Sequence, residues 1–92
     1  MSSYDWELEK ARTNVWKHGV TFEEAETIDL DPFQRTWRDL AYVGDEDRFL
    51  TIAYSTAGRL LLVVTSEGGR RPKIISARRA TKRERHAYET RP

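Results

Sequence analysis

The segment RFLTIAYSTAGRLLLVVTSEGGRRPKIISA, residues 48–77, determines the fold class. It contains three runs rich in β-forming residues, at 48–55, 59–65 and 73–77, and short connections with glycine or proline separate them. Connections this short cannot hold a parallel crossover, so the three runs are expected to form an antiparallel meander. The run 59–65 is apolar on both faces, which predicts a central strand with helices on one side of the sheet.

Two helices are predicted before these strands. Apolar residues recur at helical spacing from near the N-terminus up to Gly19, and glycine is typical of the position just after a helix. A second helix is expected to begin at Thr21, because Glu24 three residues later gives the spacing of a capping box. Pro32 disfavours helical geometry at the residue before it, which ends this helix. The alternating residues 33–37 are a candidate for a first strand.

A third helix is predicted near the end of the chain, because Thr81 and Glu84 repeat the capping-box spacing. The sequence therefore predicts an α+β fold. In it, two N-terminal helices pack on a three- to four-stranded antiparallel sheet, which a C-terminal helix follows. A chain of 92 residues fits a single domain, residues 1–92.

The composition excludes several classes of protein. The sequence has no cysteine, which rules out a disulfide framework and a thiolate metal site, and its two histidines are too few for a zinc site of their own. No apolar run approaches the roughly 20 residues that span a bilayer, and the N-terminus lacks the features of a signal peptide. We therefore expect a soluble, cytoplasmic protein without a membrane partner.

The charges are distributed unevenly along the chain, although the net charge is only +1. Residues 1–69 carry seven basic and 13 acidic side chains, net −6, whereas residues 70–92 carry nine basic and two acidic ones, net +7. This segregation favours an anionic partner for the C-terminal end, and the density of basic residues there points to nucleic acid. The alternatives are a solvated charged face and a basic segment paired internally with the acidic part.

Four segments resemble the BrnT family of bacterial toxins. They are NVWKHGVTFEEA at 14–25, EDRF at 46–49, GRLLLVV at 58–64 and IISARRATKRERHAYE at 74–89, in the family's order and without gaps. The resemblance implies a fold related to the RelE/ParE toxins and a ribonuclease that stops translation without a metal or other cofactor. It also implies a cognate BrnA-type antitoxin that inactivates the toxin, and operator DNA as the target of the complex.

The sequence departs from the family pattern within the basic region. Gly68 and Lys73 stand where the family usually has arginine, and Arg70 and Arg71 are placed to replace the missing side chain. These departures bear on catalysis more than on the fold.

Metal-free RNA cleavage needs a base for the 2′-hydroxyl, cations for the transition state and an acid for the leaving oxygen. Arg78, in the family's SAR motif, is expected to bind the phosphate; the alternative is a salt bridge at the strand end with an acidic loop. His18 is the candidate acid or base, or else caps the first helix. Glu67 is a base or holds an arginine. Tyr88 contacts a base or a phosphate, or else anchors the last helix by packing.

Eight further residues are predicted to bind RNA: Lys17, Arg70, Arg71, Lys73, Arg79, Lys82, Arg83 and Arg85. We expect the four catalytic candidates to converge around one concave patch. A hairpin with its turn at 66–72 is the alternative, and it would put Glu67 near Arg71 and Lys73 rather than near Arg78.

The predicted function is that of a ribonuclease toxin of a type II toxin–antitoxin pair, which cleaves RNA without metal and is neutralised by its antitoxin. The alternative comes from another class of protein. It is a degenerate, non-catalytic module that keeps only the binding of nucleic acid and antitoxin.

Overall fold

A computed structural model describes residues 3–90, and its elements follow one another as helices, strands and a last helix. In chain order they are α1 (Leu8–His18), α2 (Phe22–Glu26), a short 3₁₀ helix (Thr27–Leu30), β1 (Arg35–Arg38), β2 (Asp47–Tyr54), β3 (Leu60–Glu67), β4 (Lys73–Arg79) and α3 (Lys82–Glu89).

The four strands form one antiparallel sheet in the order β1–β2–β3–β4, so each strand pairs with its neighbour in the sequence. The predicted meander over 48–77 is confirmed, with β3 inside the sheet. The first strand lies at Arg35–Arg38 rather than at 33–37. The α+β class and the antiparallel sheet are therefore as the sequence predicts.

Both faces of the sheet are covered, which corrects the prediction of helices on one side only. Leu61 and Val63 of β3 pack in a core with Phe22 of α2. Leu60 and Leu62, which point the opposite way, pack against Tyr88 of α3. Because β3 is apolar at consecutive positions, burying only one of its faces would leave the other in water, and α3 supplies the missing cover. We call these two sides of the sheet the α2 face and the α3 face.

A β-bulge in β4 sets which of its side chains reach each face. Val64 pairs with Ser76 and Thr65 pairs with Ile74, so Ile75 has no partner in β3. The extra residue puts Ile74 and Ala77, three positions apart, on the same buried α2 face. If the side chains of β4 alternated strictly between the two faces, Ile74 and Ala77 would lie on opposite faces.

The outer edge of β4 is closed by the N-terminal part of the chain. The Asn14 side chain donates to the carbonyl oxygen of Ala77 at 2.7 Å and to that of Val20 at 2.9 Å, and its Oδ1 accepts from the Ala77 N–H at 3.0 Å. Further along the edge, the Asp5 N–H donates to the Pro72 carbonyl, and Asp5 pairs as an isolated bridge. The sequence YDW at 4–6 favours a very short strand, and in the structure this segment forms only the bridge at Asp5.

Gly19 ends α1 as predicted. Its φ is +66°, a left-handed conformation that favours glycine, and its N–H donates to the Val15 carbonyl at 2.8 Å. The turn brings Val20 into the core and aims its carbonyl at Asn14.

The two predicted capping boxes differ. At α3 both halves form, because Thr81 accepts from the Glu84 N–H and the Glu84 carboxylate accepts from the Thr81 N–H. At α2 only the Thr21 half forms. The Glu24 carboxylate turns instead to Arg59, whose hydrogen bonds hold the pKa of Glu24 below its usual value.

We expect Asn14→Ala to lower the free energy of unfolding by about 3 kcal/mol, because the N–H and carbonyl of Ala77 would be left buried without partners. Urea unfolding measures the change. Thr13→Ala is the matched control, since Thr13 is the exposed neighbour in the same helix and should change stability by less than about 0.5 kcal/mol. Equal losses in the two variants would contradict the role given to Asn14.

Candidate nucleic-acid interface

A groove of adjacent depressions follows β4 and extends across the ends of β2 and β3 that carry Arg48 and Ser66. It consists of three depressions with volumes of about 300, 250 and 230 Å³. The first lies between α1 and β4 and shares Lys10 and Ile75 with the second. The second shares Glu46, Ser66 and Lys73 with the third, which reaches the β3–β4 turn. We call the three together the edge groove.

The edge groove contains groups of both charges. Its basic side chains come from α1, β2, β4 and the β3–β4 turn: Lys10, Lys17, His18, Arg48, Arg71 and Lys73. Its carboxylates come from the N-terminal segment, α1 and the β1–β2 loop: Asp5, Glu7, Glu9, Asp45 and Glu46. The groove thus offers cations and proton-transfer groups along one path.

The ion pairs inside the groove are loose. Lys73 Nζ lies 4.0 Å from a Glu7 carboxylate oxygen, and an Arg71 guanidinium nitrogen lies 3.8 Å from Asp5. All four side chains are at least 40% exposed, so such pairs contribute little to stability. Lys73 therefore loses little when it turns to an anionic ligand.

Four of the predicted site residues line the edge groove: Lys17, His18, Arg71 and Lys73. Glu67 and Arg70 are exposed and adjoin it, at the end of β3 and in the β3–β4 turn. His18 is in the last turn of α1, in the same depression as Ser76. The remaining six lie outside the groove: Arg78, Arg79, Lys82, Arg83, Arg85 and Tyr88.

Arg78 holds β4 to α3. Its two terminal nitrogens donate to the two carboxylate oxygens of Glu84 at 2.8 Å each, and one of them also donates to the Arg79 carbonyl at 3.2 Å. The Arg78 hydrogen bonds, which outweigh partial burial, hold the pKa of Glu84 below its usual value. These contacts match the salt-bridge alternative, with a partner in a helix rather than in a loop.

Tyr88 is buried on the α3 face, with 9% of its surface exposed. Its hydroxyl donates to Asp31 at 2.7 Å, and its ring meets the Tyr54 ring edge-on, with centroids 5.5 Å apart. These contacts match the alternative in which Tyr88 is a packing anchor.

The expected convergence of the four catalytic candidates is wrong. Arg78 pairs with Leu62, and Glu67 lies five residues further along β3. At about 3.3 Å per residue, this separates the backbones of Glu67 and Arg78 by roughly 16 Å. Antiparallel pairing places the end of β3 beside the start of β4. Glu67 therefore adjoins the turn that carries Arg70 and Arg71, as the hairpin alternative stated.

Three groove residues that sequence reasoning did not select are Lys10, Arg48 and Ser66. Lys10 precedes Lys17 by seven residues, a spacing that puts both on one side of a helix. Arg48 alternates with Leu50 and Ile52 and so shares the α3 face with them. The spacing of Lys10 and Lys17 could have been used as a signal in the sequence. No sequence pattern indicated that the loop carrying Tyr42 packs against Arg48.

The fold and the groove define a small α+β protein with a groove of mixed charge beside its antiparallel sheet. The profile described as "Ribonuclease toxin, BrnT, of type II toxin-antitoxin system" matches residues 6–84, and the chain belongs to this family. This confirms the family resemblance. The family consists of ribonuclease toxins, and membership implies an RNA substrate and an antitoxin partner.

The fold is also similar to that of a solved structure. The crystal structure of the Brucella abortus ribonuclease toxin BrnT, at 1.1 Å, superposes with a TM-score of 0.63. The sequences are 22% identical, and the match covers 86% of this chain and 96% of that one. A search of curated proteins found no match. Within residues 3–90, no helix is long and apolar enough to cross a membrane.

The Arg78–Glu84 pair should make stability depend on pH in the acid range. Because the pKa of Glu84 is lowered in the fold, the stability due to the pair is present above its usual value of 4.5 and is lost as pH falls through the lower, folded pKa. We expect the free energy of unfolding to fall less steeply below pH 4.5 in Glu84→Gln than in the unmodified protein.

Urea unfolding at several pH values between 7 and 3 measures this difference. Glu89→Gln is the control, since Glu89 is exposed on the same helix and its side chain has no hydrogen bond or ion pair within residues 3–90. It should keep the steep decline. Parallel curves for the unmodified protein and Glu84→Gln would contradict the prediction.

Proposed function

We propose that this chain is the ribonuclease toxin of a type II toxin–antitoxin pair and that it cleaves RNA along the edge groove without a metal ion. The continuity of the groove carries the proposal. Cations that suit a phosphate lie there beside carboxylates and an imidazole that suit proton transfer.

Each group that metal-free cleavage needs has candidates in the groove. Lys73 and Arg48 would hold the phosphate and stabilise the charge of the transition state. Glu46 and Glu7 are candidates for the base that takes the proton of the 2′-hydroxyl. His18, at the other end of the groove, would donate to or accept from a neighbouring nucleotide.

The remaining basic residues would steer and position the RNA. Arg79, Lys82 and Arg83 are exposed, and within residues 3–90 their side chains make no hydrogen bond or ion pair. Arg70 has the same character at the turn. Phosphate contacts of this kind add affinity without reading sequence. Glu67 would orient the arginines of its turn.

Arg78 and Tyr88 would act by holding α3 to the sheet, and direct catalysis by either is the competing hypothesis. A phosphate could reach the Arg78 guanidinium only by competing with the two hydrogen bonds to Glu84. The variants described below separate the two roles.

The biological setting of the proposal follows from the family. A BrnA-type antitoxin would cover the groove and stop cleavage, and the complex would bind operator DNA. The toxin would act in the cytoplasm, where it arrests translation by cutting RNA. We further propose that residues 1–92 form one domain and that its fold is related to the RelE/ParE toxins.

A non-catalytic, degenerate toxin is the second candidate, and one contact favours it. A Cβ atom added at Gly68 would lie 2.9 Å from Cγ of Glu46, so a larger side chain there would displace that carboxylate. The arginine usual at this position in the family would therefore require the exposed Glu46 side chain to adopt another position. Such remodelling is compatible with a groove that binds RNA but no longer cleaves it.

Cleavage is tested with purified protein and single-stranded RNA in the presence of EDTA. The double variant Lys10→Gln/Lys73→Gln should lower the cleavage rate by about 100-fold or more, because it removes two cations from the proposed reaction path. Lys82→Gln/Arg83→Gln removes the same charge from α3 and should retain most of the rate. Equal rates for the two double variants would contradict cleavage in the groove.

Arg78→Ala completes the comparison. If Arg78 only holds α3, this variant should lose stability while the folded fraction, measured at low temperature, cleaves RNA at an undiminished rate. A fully folded Arg78→Ala protein without activity would assign Arg78 to catalysis. No cleavage by the unmodified protein would favour the degenerate toxin.

Binding is tested with an RNA whose 2′-hydroxyls are methylated, so that it cannot be cut. The logarithm of affinity should fall with the logarithm of salt concentration by about 0.7 for each phosphate contacted. Lys10→Gln/Lys73→Gln should make this slope shallower by about 1.4, the value for two lost contacts. Fluorescence anisotropy measures the slope, and salt-independent binding would contradict the proposed interface.

A further inference from the structure

Arg48 is a partly buried cation whose side chain makes no hydrogen bond or ion pair within residues 3–90. Its guanidinium carbon lies 4.0 Å from the centroid of the Tyr42 ring, so the ring covers one side of the group. The Nε–H is buried and makes no hydrogen bond. Within residues 3–90 the side chain forms no ion pair, although Asp45 and Glu46 line the same depression.

Ser66 lies directly across from Arg48 in the pairing of β2 with β3. It is 3% exposed, and its hydroxyl is buried without a hydrogen-bond partner. Lys73 pairs with Ser66 from the other side, in β4. Two unpaired buried polar groups and a second cation thus come from three adjacent strands and line one depression of about 250 Å³.

This arrangement is costly unless something binds there. A buried donor without a partner costs about 1–3 kcal/mol, and proteins rarely keep two side by side. A water molecule would satisfy the hydrogen bonds of Arg48 and Ser66 but would not form an ion pair with the guanidinium, which the carboxylates lining the depression do not form either within residues 3–90. An anion with several acceptor oxygens satisfies both the hydrogen bonds and the charge.

We propose that Arg48, Ser66 and Lys73 form a seat for one phosphodiester group of the RNA. The inference rests on the proposed function and names the phosphate-binding residues within the edge groove. Nε and a terminal nitrogen of Arg48 would donate to two phosphate oxygens, as the planar guanidinium allows, and the Ser66 hydroxyl would donate to one of them. Lys73 would balance the remaining charge.

The β1–β2 loop prepares the seat in the absence of RNA. The Tyr42 ring lies so close to Gly44 that any Cβ atom at position 44 would overlap it. The ring in turn restricts the orientation of the Arg48 guanidinium. Such preorganisation lowers the conformational entropy that is lost on binding. The Arg78 guanidinium is not available to a phosphate in the same way, because both of its terminal nitrogens already donate to Glu84.

The seat is tested by thermal unfolding in inorganic phosphate against chloride at equal ionic strength. Phosphate should raise the melting temperature of the unmodified protein, and Arg48→Gln should require about tenfold or more phosphate for the same rise, as expected for the loss of charged hydrogen bonds. Arg12→Gln is the control, because Arg12 is exposed and lies outside the edge groove, and it should respond like the unmodified protein. Equal responses of Arg48→Gln and the unmodified protein, or no response in either, would overturn the seat.

Two further variants keep the test decisive if Arg48→Gln does not fold. Ser66→Ala removes a hydroxyl that makes no hydrogen bond, so without phosphate it should be as stable as the unmodified protein, and with phosphate it should gain less. Gly44→Ala should weaken the phosphate response by displacing the Tyr42 ring. A Ser66→Ala protein that is destabilised without phosphate and responds normally to it would overturn the inference.

Cleavage of RNA by the same proteins separates this inference from the function on which it rests. A protein that shows the Arg48-dependent phosphate response but cleaves no RNA supports the seat and rejects the ribonuclease. A protein that cleaves RNA equally fast with and without Arg48 supports the ribonuclease and overturns the seat.

Discussion

The amide of Asn14 is the contact on which the rest of the architecture depends. It pairs with both backbone groups of Ala77 as a neighbouring strand would, and it also binds the Val20 carbonyl after the Gly19 turn. An open strand edge is a template for pairing with other chains, and this amide closes the edge of β4 from within a helix. It thereby fixes α1 beside β4, and the space between them becomes one end of the edge groove.

The two arginines at the end of β4 differ in their contacts. Arg78 and Arg79 are adjacent, and strand alternation sends them to opposite faces of the sheet. Arg78 ties α3 over the apolar face of β3 through Glu84, whose backbone and carboxylate also cap that helix. Arg79 makes no side-chain hydrogen bond or ion pair in the part of the chain that the structure describes. Arg78 thus has a structural role, whereas its neighbour Arg79 presents an exposed positive charge.

The segregation of charge along the sequence does not persist in three dimensions. The edge groove takes basic groups from α1, β2 and β4, and it takes carboxylates from the N-terminal segment, α1 and the β1–β2 loop. A surface of uniform sign would attract RNA but would offer few groups for proton transfer. The mixed groove contains both kinds of group, and the ion pair of Lys73 within it is loose.

The sequence by itself determined the secondary structure, the antiparallel order of the strands and the family, because hydrophobic period, short turns and capping residues are local signals. Only the tertiary structure decided which basic residues meet. The bulge at Ile75 resets the alternation of β4, Glu84 claims Arg78, and the loop at Tyr42 covers Arg48. These contacts join residues that are distant in the chain or break a regular period, so no local pattern reports them. The placement of the groove follows from packing, and of its lining residues only Lys17, His18, Arg71 and Lys73 were predicted from the sequence.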